Sequence, residues 1–205
     1  MSIAAVTERI PQRKRGVALE EAIVEAAWAE LVESGYAGFT VESVAMRAKT
    51  GKASIYRRWP TKQLLVLEAM ILRLPTPAEC GIVDVMPDDV STIDALHVVA
   101  RTIGGIMASP AGSAMRAIKC EAATDPELAR VIDERFQAPR RQAMLGLLQR
   151  GVERGEVRPE AVSTIVVDVL PAVLMHRLIF TGDPVTPGAV AQIVDEILIP
   201  LISPR

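Results

Sequence analysis

Aromatic side chains are scarce in this sequence: of 205 residues, two are Trp, two Tyr and three Phe. Five of those seven, Trp28, Tyr36, Phe39, Tyr56 and Trp59, fall before residue 60. The remainder must build its core from aliphatic residues and methionine, and it offers few stacking walls to a flat aromatic ligand. Cysteine is equally rare. Cys80 and Cys120 set no disulfide framework, so a reduced, cytoplasmic chain is expected. The two histidines, His97 and His176, stand far apart, without the cysteine or carboxylate spacing of a metal site or a catalytic triad. No glycine-rich phosphate loop follows a strand. No catalytic residue, metal or cofactor is therefore expected. The most apolar run, Ala161 to Thr181, is interrupted by Asp168, Pro171, His176 and Arg177, and the chain opens without an apolar run ahead of a cleavage site. Neither a membrane span nor a signal peptide is expected.

What remains is helix. Half of the residues are hydrophobic, enough for a sizeable core, and no useful length of strand-like alternation and no internal repeat occurs. Charge is uneven: residues 1–62 hold ten Lys/Arg against seven Asp/Glu, whereas residues 63–205 hold thirteen against eighteen. A basic head on an acidic body suits a protein that meets a polyanion at one end only.

The stretch from Thr40 to Lys62 has the spacing of a helix-turn-helix. Thr40 is an N-cap, and Val41, Val44, Ala45 and Ala48 then recur on one helical face, with Ala45 small where a second helix must cross. Lys49-Thr50-Gly51 supplies the turn. A second helix runs from Lys52 to Arg58, burying Ile55 and Trp59, and Pro60 ends it. No Asp or Glu occurs between Glu42 and Glu68, while Arg47, Lys49, Lys52, Arg57, Arg58 and Lys62 all lie in that window. A helix laid in a major groove shows its leading residues to base edges and its flanking cations to phosphates. The expected DNA-contacting set is Thr40, Arg47, Thr50, Gly51, Lys52, Ala53, Ser54, Tyr56, Arg57, Arg58 and Lys62. Tyr56 and Lys62 are expected on phosphate, and Lys52, Ser54 and Arg57 at base edges.

Around this motif the chain divides into an arm at 1–15, a head at 16–70 and a body at 71–205. The arm carries Arg9, Arg13, Lys14 and Arg15 and is broken by Pro11; it is either an irregular tail or a basic arm reaching DNA. Leu19, Ile23, Ala27 and Leu31 step by four through an amphipathic helix from Gly16 to Ser34. Gly35 is placed to end it in a left-handed conformation, and Trp28, Tyr36 and Phe39 plug the small core. Thr61 caps a helix that is apolar on several sides and stops at Pro75, before a loop from Pro75 to Val90. The body then reads as five helices: Thr92–Ala108, Gly112–Ala123, Asp125–Gly155, Glu160–Phe180 and Pro187–Leu201. Pro139 should divide the long one near Ala138, and Gly104-Gly105 is a second weak point. The apolar residues of Glu160–Phe180 exceed one chain's need, and the last helix adds a stripe that suits a four-helix bundle of two copies, so Val162, Val166, Val169, Val173, Val190, Ile193, Val194, Ile197 and Leu201 are expected at a dimer interface. Met107, Met115, Met144 and Met175, with Phe136 and the polar His97, Arg116, Cys120 and His176, are candidates to line a pocket for an elongated or alicyclic, mostly aliphatic molecule.

The segment from Gly16 to about Met70 resembles the N-terminal domain of TetR-family transcriptional regulators. Thr40, Ala45, Ala48, Ile55, Tyr56, Trp59 and Lys62 stand at that family's pattern positions. It departs from the pattern at the turn glycine, which is Lys49, at a Ser or Thr, which is Gly51, at a recognition-helix glycine, which is Ala53, and at a histidine, which is Arg58. A non-glycine at a turn position of positive φ strains the backbone by about 1–3 kcal/mol. Phe136, Pro139-Arg140-Arg141 and the run from Arg150 to Pro159 resemble one group of the family's C-terminal ligand-binding domains. The resemblance implies an all-α fold of about nine helices. It also implies a homodimer with two heads on a palindromic double-stranded operator, and a small-molecule effector in each body. Two other readings compete. A helical dimer that binds a protein partner would show no salt-dependent DNA affinity, and an enzyme would turn over a substrate.

Overall fold

The computed structural model describes residues 12–75 and 90–204, and every regular element among the described residues is helical. Packing divides the chain into two units, one ending at Leu72 and the other beginning at Arg73. Most of the expected arm and of the Pro75–Val90 loop lies outside the described residues.

In the head, α1 (Gln12–Gly38) begins within the segment expected to be an irregular arm. Its inner face, Ile23, Val24, Ala26, Ala27 and Leu31, is buried. Gly35 breaks it with φ 65 and ψ 177. The positive φ was expected at this glycine; the extended ψ was not, and it turns the chain out of the helix axis instead of closing a left-handed cap. The Phe39 amide donates to the Gly35 carbonyl at 3.0 Å, and the Phe39 ring is carried into the core at 2% exposure. Thr40 then accepts from the Ser43 amide at 3.1 Å and starts α2 (Val41–Arg47). The third helix, α3, spans Lys52–Tyr56, and Ile55 and Trp59 are buried as their spacing requires. Thr61 accepts from the Leu64 amide at 3.3 Å at the start of α4 (Lys62–Arg73), whose Leu65, Val66, Leu67, Ala69 and Met70 are all buried.

The body is organised on α5 (Thr92–Ala108), which packs against each of the later helices. They are α6 (Pro110–Ala122), α7 (126–153), α8 (164–181) and α9 (187–202). Two prolines lie inside these long helices just after a widened π-turn: Asp133–Gln137 precedes Pro139, and Val194–Leu198 precedes Pro200. Proline has no amide to donate and its ring collides with the carbonyl four residues back, so the extra residue per turn relieves the clash without ending the helix. The α-helical part of α7 resumes at Ala138, where the two pieces were expected to meet. Gly104 is a crossing point and not the weak point expected: a methyl there would lie 2.6 Å from Val190 Cγ2 of α9.

The run from Arg150 to Pro159 ties both ends of this bundle. At Gly151 a methyl would meet Val157 and the buried Thr92, and Gly155 takes φ 72 to reverse the chain. The Glu156 carboxylate then accepts the first amide of α5, that of Thr92, at 2.7 Å, while Arg154 donates to the Thr92 hydroxyl at 3.0 Å. The Arg158 amide and guanidinium donate to the carbonyls of Ile202 and Leu201, at 2.8 and 2.6 Å, satisfying the otherwise orphaned end of α9. The Thr92 hydrogen bonds hold the Glu156 carboxyl below the usual carboxylate range. A lowered folded-state pKa contributes stability that is present above the ordinary value and lost as pH falls through the folded one. Glu156→Gln should therefore cost about 1–2 kcal/mol at pH 7 and flatten the acid side of a urea-unfolding profile below about pH 4.5. An acid limb unchanged by the substitution would remove this role.

Of the apolar residues expected at a dimer interface, Val190, Ile193 and Val194 are no more than 6% exposed within one chain. They face α5 and the body core, so this part of the expected stripe is turned inward within one chain. Val162, Val166, Val169, Val173, Ile197 and Leu201 are half-buried. On the helix where an apolar surplus was expected, the outward stripe of α8 leaves Ile165 79% and Phe180 77% exposed. By length and composition this helix is apolar enough to cross a membrane, against expectation. Its Val167, Leu170 and Leu174 nevertheless belong to the body core, and Asp168 pairs with Arg141 of α7 at 3.3 Å.

Candidate nucleic-acid interface

The turn between α2 and α3 sets the geometry of the head's basic face. The Ala48 amide donates to Val44 at 2.9 Å, Lys49 to Met46 at 3.2 Å and Thr50 to Ala45 at 3.0 Å. These bonds require one residue of positive φ, and Lys49 supplies it at φ 52, the only non-glycine of that kind among the described residues. Gly51 is the N-cap of α3 and lends no side-chain cap. Thr50 is half-buried, whereas Gly51, Lys52 and Ala53 at the leading edge of the short helix and Tyr56 and Arg57 at its far end are exposed.

Several of the expected contact residues have partners inside the head. Arg47 forms a fork with Glu33 at 2.6 and 3.2 Å and lies 3.6 Å from the buried Glu30, which also accepts from Ser34. Its guanidinium is engaged with α1, and its expected place on DNA is not supported by this geometry. Lys52 pairs with Glu42, and their hydrogen bond holds the Glu42 carboxyl below, and the Lys52 ammonium above, their ordinary values. Arg58 donates to the Ser54 carbonyl at 3.0 Å and hydroxyl at 3.1 Å, so Ser54, expected at a base edge, is shared with a neighbouring guanidinium. Lys62, expected on phosphate, donates to the Tyr36 carbonyl at 2.6 Å and lies 4.2 Å from that ring's centre. Its first use in this structure is to join α4 to the end of α1. Thr40 is spent on capping α2. Arg57 and Lys49 differ: neither side chain makes a hydrogen bond or ion pair among the described residues. Lys49, named among the cations of the window, and Glu42, the partner of Lys52, were not in the expected DNA-contacting set. The turn register of Lys49 and the position of Glu42 one residue into α2 were the available signals.

The candidate pocket residues differ in their surroundings. Cys120 and His176 are exposed, and His176 stacks on Phe180 with ring centres 5.4 Å apart. His97 lies 3.1 Å from Asp195 of α9. Arg116 donates to the Met107 carbonyl and the Ser113 hydroxyl. Phe136 is buried beneath the Arg140 guanidinium, 3.7 Å from the ring centre. Met115 is buried, Met107 and Met144 pack on the aliphatic core of the body, and Met175 is half-buried.

The family model described as bacterial regulatory proteins, tetR family, matches residues 23–69. A second, described as tetracyclin repressor-like, C-terminal domain, matches residues 86–197. An uncharacterized HTH-type transcriptional regulator of Mycobacterium tuberculosis, Rv1556, is 33% identical over 173 residues, which is 84% of this chain and 82% of the relative. YdeS, an uncharacterized HTH-type transcriptional regulator of Bacillus subtilis, is 30% identical over 191 residues, covering 89% and 91% of the two chains. Among solved structures, the TetR family transcription regulator SCO0332 superposes with a TM-score of 0.71 at 26% identity, over 91% of this chain and 99% of the other.

Replacing Lys49 by glycine relieves a left-handed backbone that costs a lysine about 1 kcal/mol. Lys49→Gly should raise the unfolding free energy by roughly that amount in urea denaturation. A lower stability would mean that the turn is not strained at this residue.

Proposed function

The chain belongs to the tetR family of bacterial regulatory proteins, and we propose that it is a repressor released by its effector. In this reading a homodimer in the cytoplasm sets two heads into successive major grooves of a palindromic operator. It lets go when a small, mostly apolar molecule enters each body. The observation that carries the DNA-binding half is the exposure of α3 and its caps: Gly51, Lys52 and Ala53 lead it, Arg57 closes it without a hydrogen bond or ion pair among the described residues, and Arg58 and Lys62 follow. The internal pairs do not oppose it. An exposed ion pair contributes about 0–1 kcal/mol, so Lys52 can exchange Glu42 for a phosphate when DNA arrives.

The dimer rests on α8. Its outward stripe of Ile165, Ala172 and Phe180 is apolar and exposed, with Val169 and Val173 half-buried beside it, and a second copy is the cover that would also hold two heads at a fixed separation. Half-sites one helical turn apart, about 34–36 Å, tolerate little change in that separation, so a small rotation within the body is enough to break register. The effector reading rests on side-chain chemistry: Met107, Met115 and Met144 beside an aliphatic core adapt to an apolar guest and offer it little to stack upon.

Two experiments test these proposals. Selection from random duplexes should recover palindromes, and Arg57→Ala should lose about 1–3 kcal/mol on the recovered sequence with little change on unrelated DNA. Equal losses on both would take Arg57 off the base edges, and recovery of no sequence would remove the operator. In sedimentation velocity, the pair Ile165→Asp and Phe180→Asp should turn a dimer into a folded monomer. A dimer that persists would move the interface away from α8.

A further inference from the structure

We propose that Lys49 is a DNA-contacting residue that grips a phosphate beside the groove entered by α3, an inference that rests on the DNA-binding reading of the head. Lys49 occupies the one position of the turn that a glycine fills without strain, at φ 52. The surrounding backbone hydrogen bonds over-determine that geometry, so the strain is not relaxed by a local shift. In return the side chain contributes nothing visible to folding: it is exposed and makes no hydrogen bond or ion pair among the described residues. Four neighbouring cations are held, Arg47 by Glu33, Lys52 by Glu42, Arg58 by Ser54 and Lys62 by Tyr36, whereas Lys49 shares its lack of a partner among the described residues with Arg57 and differs from it in standing on a strained backbone. A strained residue whose side chain does no work inside the protein points to a contact outside it.

The position defines the contact. Lys49 stands three residues ahead of Lys52, the first residue of α3, on the loop that leads into the recognition helix. A flexible stem ending in a single hydrated charge matches a phosphate oxygen and not the paired acceptors of a guanine edge, which favour a guanidinium fork. Lys49 therefore adds affinity without sequence preference, and its partner is the sugar-phosphate backbone of duplex DNA.

The test compares wild type, Lys49→Gly, Lys49→Asn and Lys49→Arg in the full chain, by anisotropy on selected and unrelated duplexes across a salt series, with a thermal melt of each protein. Glycine and asparagine both tolerate the left-handed turn, so both variants should melt at or above wild type. Both should flatten the plot of log affinity against log salt by about 0.9 for each head bound, which is nearly tenfold per head at about 0.1 M salt, on both duplexes alike. Lys49→Arg should keep the wild-type slope. Glycine and asparagine variants that melt normally and keep the wild-type slope would overturn the proposal, as would a loss confined to the selected sequence. Wild-type protein with no salt-dependent affinity for any duplex would overturn the underlying reading instead.

Discussion

The reversal of the chain at Ala48, Lys49 and Thr50 is the constraint on which the head depends. A first helix of seven residues and a second of five cannot be held by their own hydrogen bonds. They persist because Val44, Ala45, Ile55 and Trp59 are buried in one small core, and because the turn delivers α3 to that core at a fixed angle. The turn admits one conformation at residue 49 and the chain meets it with a lysine. The placement of Lys52 and Arg57 at the two ends of α3 presupposes that reversal.

The body solves a different problem. It must pack long helices containing proline around a single aliphatic core, and it does so by widening the helix before Pro139 and Pro200 and by letting helices cross at Gly104 and Gly151. The segment from Arg150 to Pro159 then closes the bundle, with Glu156 at the start of α5 and Arg158 at the end of α9. One short loop thus satisfies backbone groups at the start of α5 and at the end of α9.

Much of this was legible in the sequence, because it follows from local rules. Thr40 as a cap, Ile55 and Trp59 as plugs, positive φ at Gly35 and the strained turn at Lys49 each depend on residues within one or two helical turns. The span Thr92–Ala108 follows from its apolar period. What was not legible depends on distant partners. Nothing near Arg47 in sequence announces Glu33 on another helix, and nothing near Lys62 announces the Tyr36 carbonyl, so both read as free cations. In the same way the periodicity of α9 shows that Val190, Ile193 and Val194 are buried but not against which chain. For the pocket, methionine spacing alone could not distinguish a lined cavity from the packed core to which Met107 and Met144 contribute.

The central claim is that a basic, strained helix-turn-helix on an otherwise acidic chain exists to hold DNA. It is tested most directly by the equilibrium affinity of the purified full chain for duplex DNA between about 0.05 and 0.3 M salt. The account predicts that log affinity falls linearly with log salt, with a slope of several units set by about 0.9 per phosphate contact, and that two chains bind each palindromic duplex at saturation. An affinity that is negligible at low salt, or that does not change across the series, would contradict it.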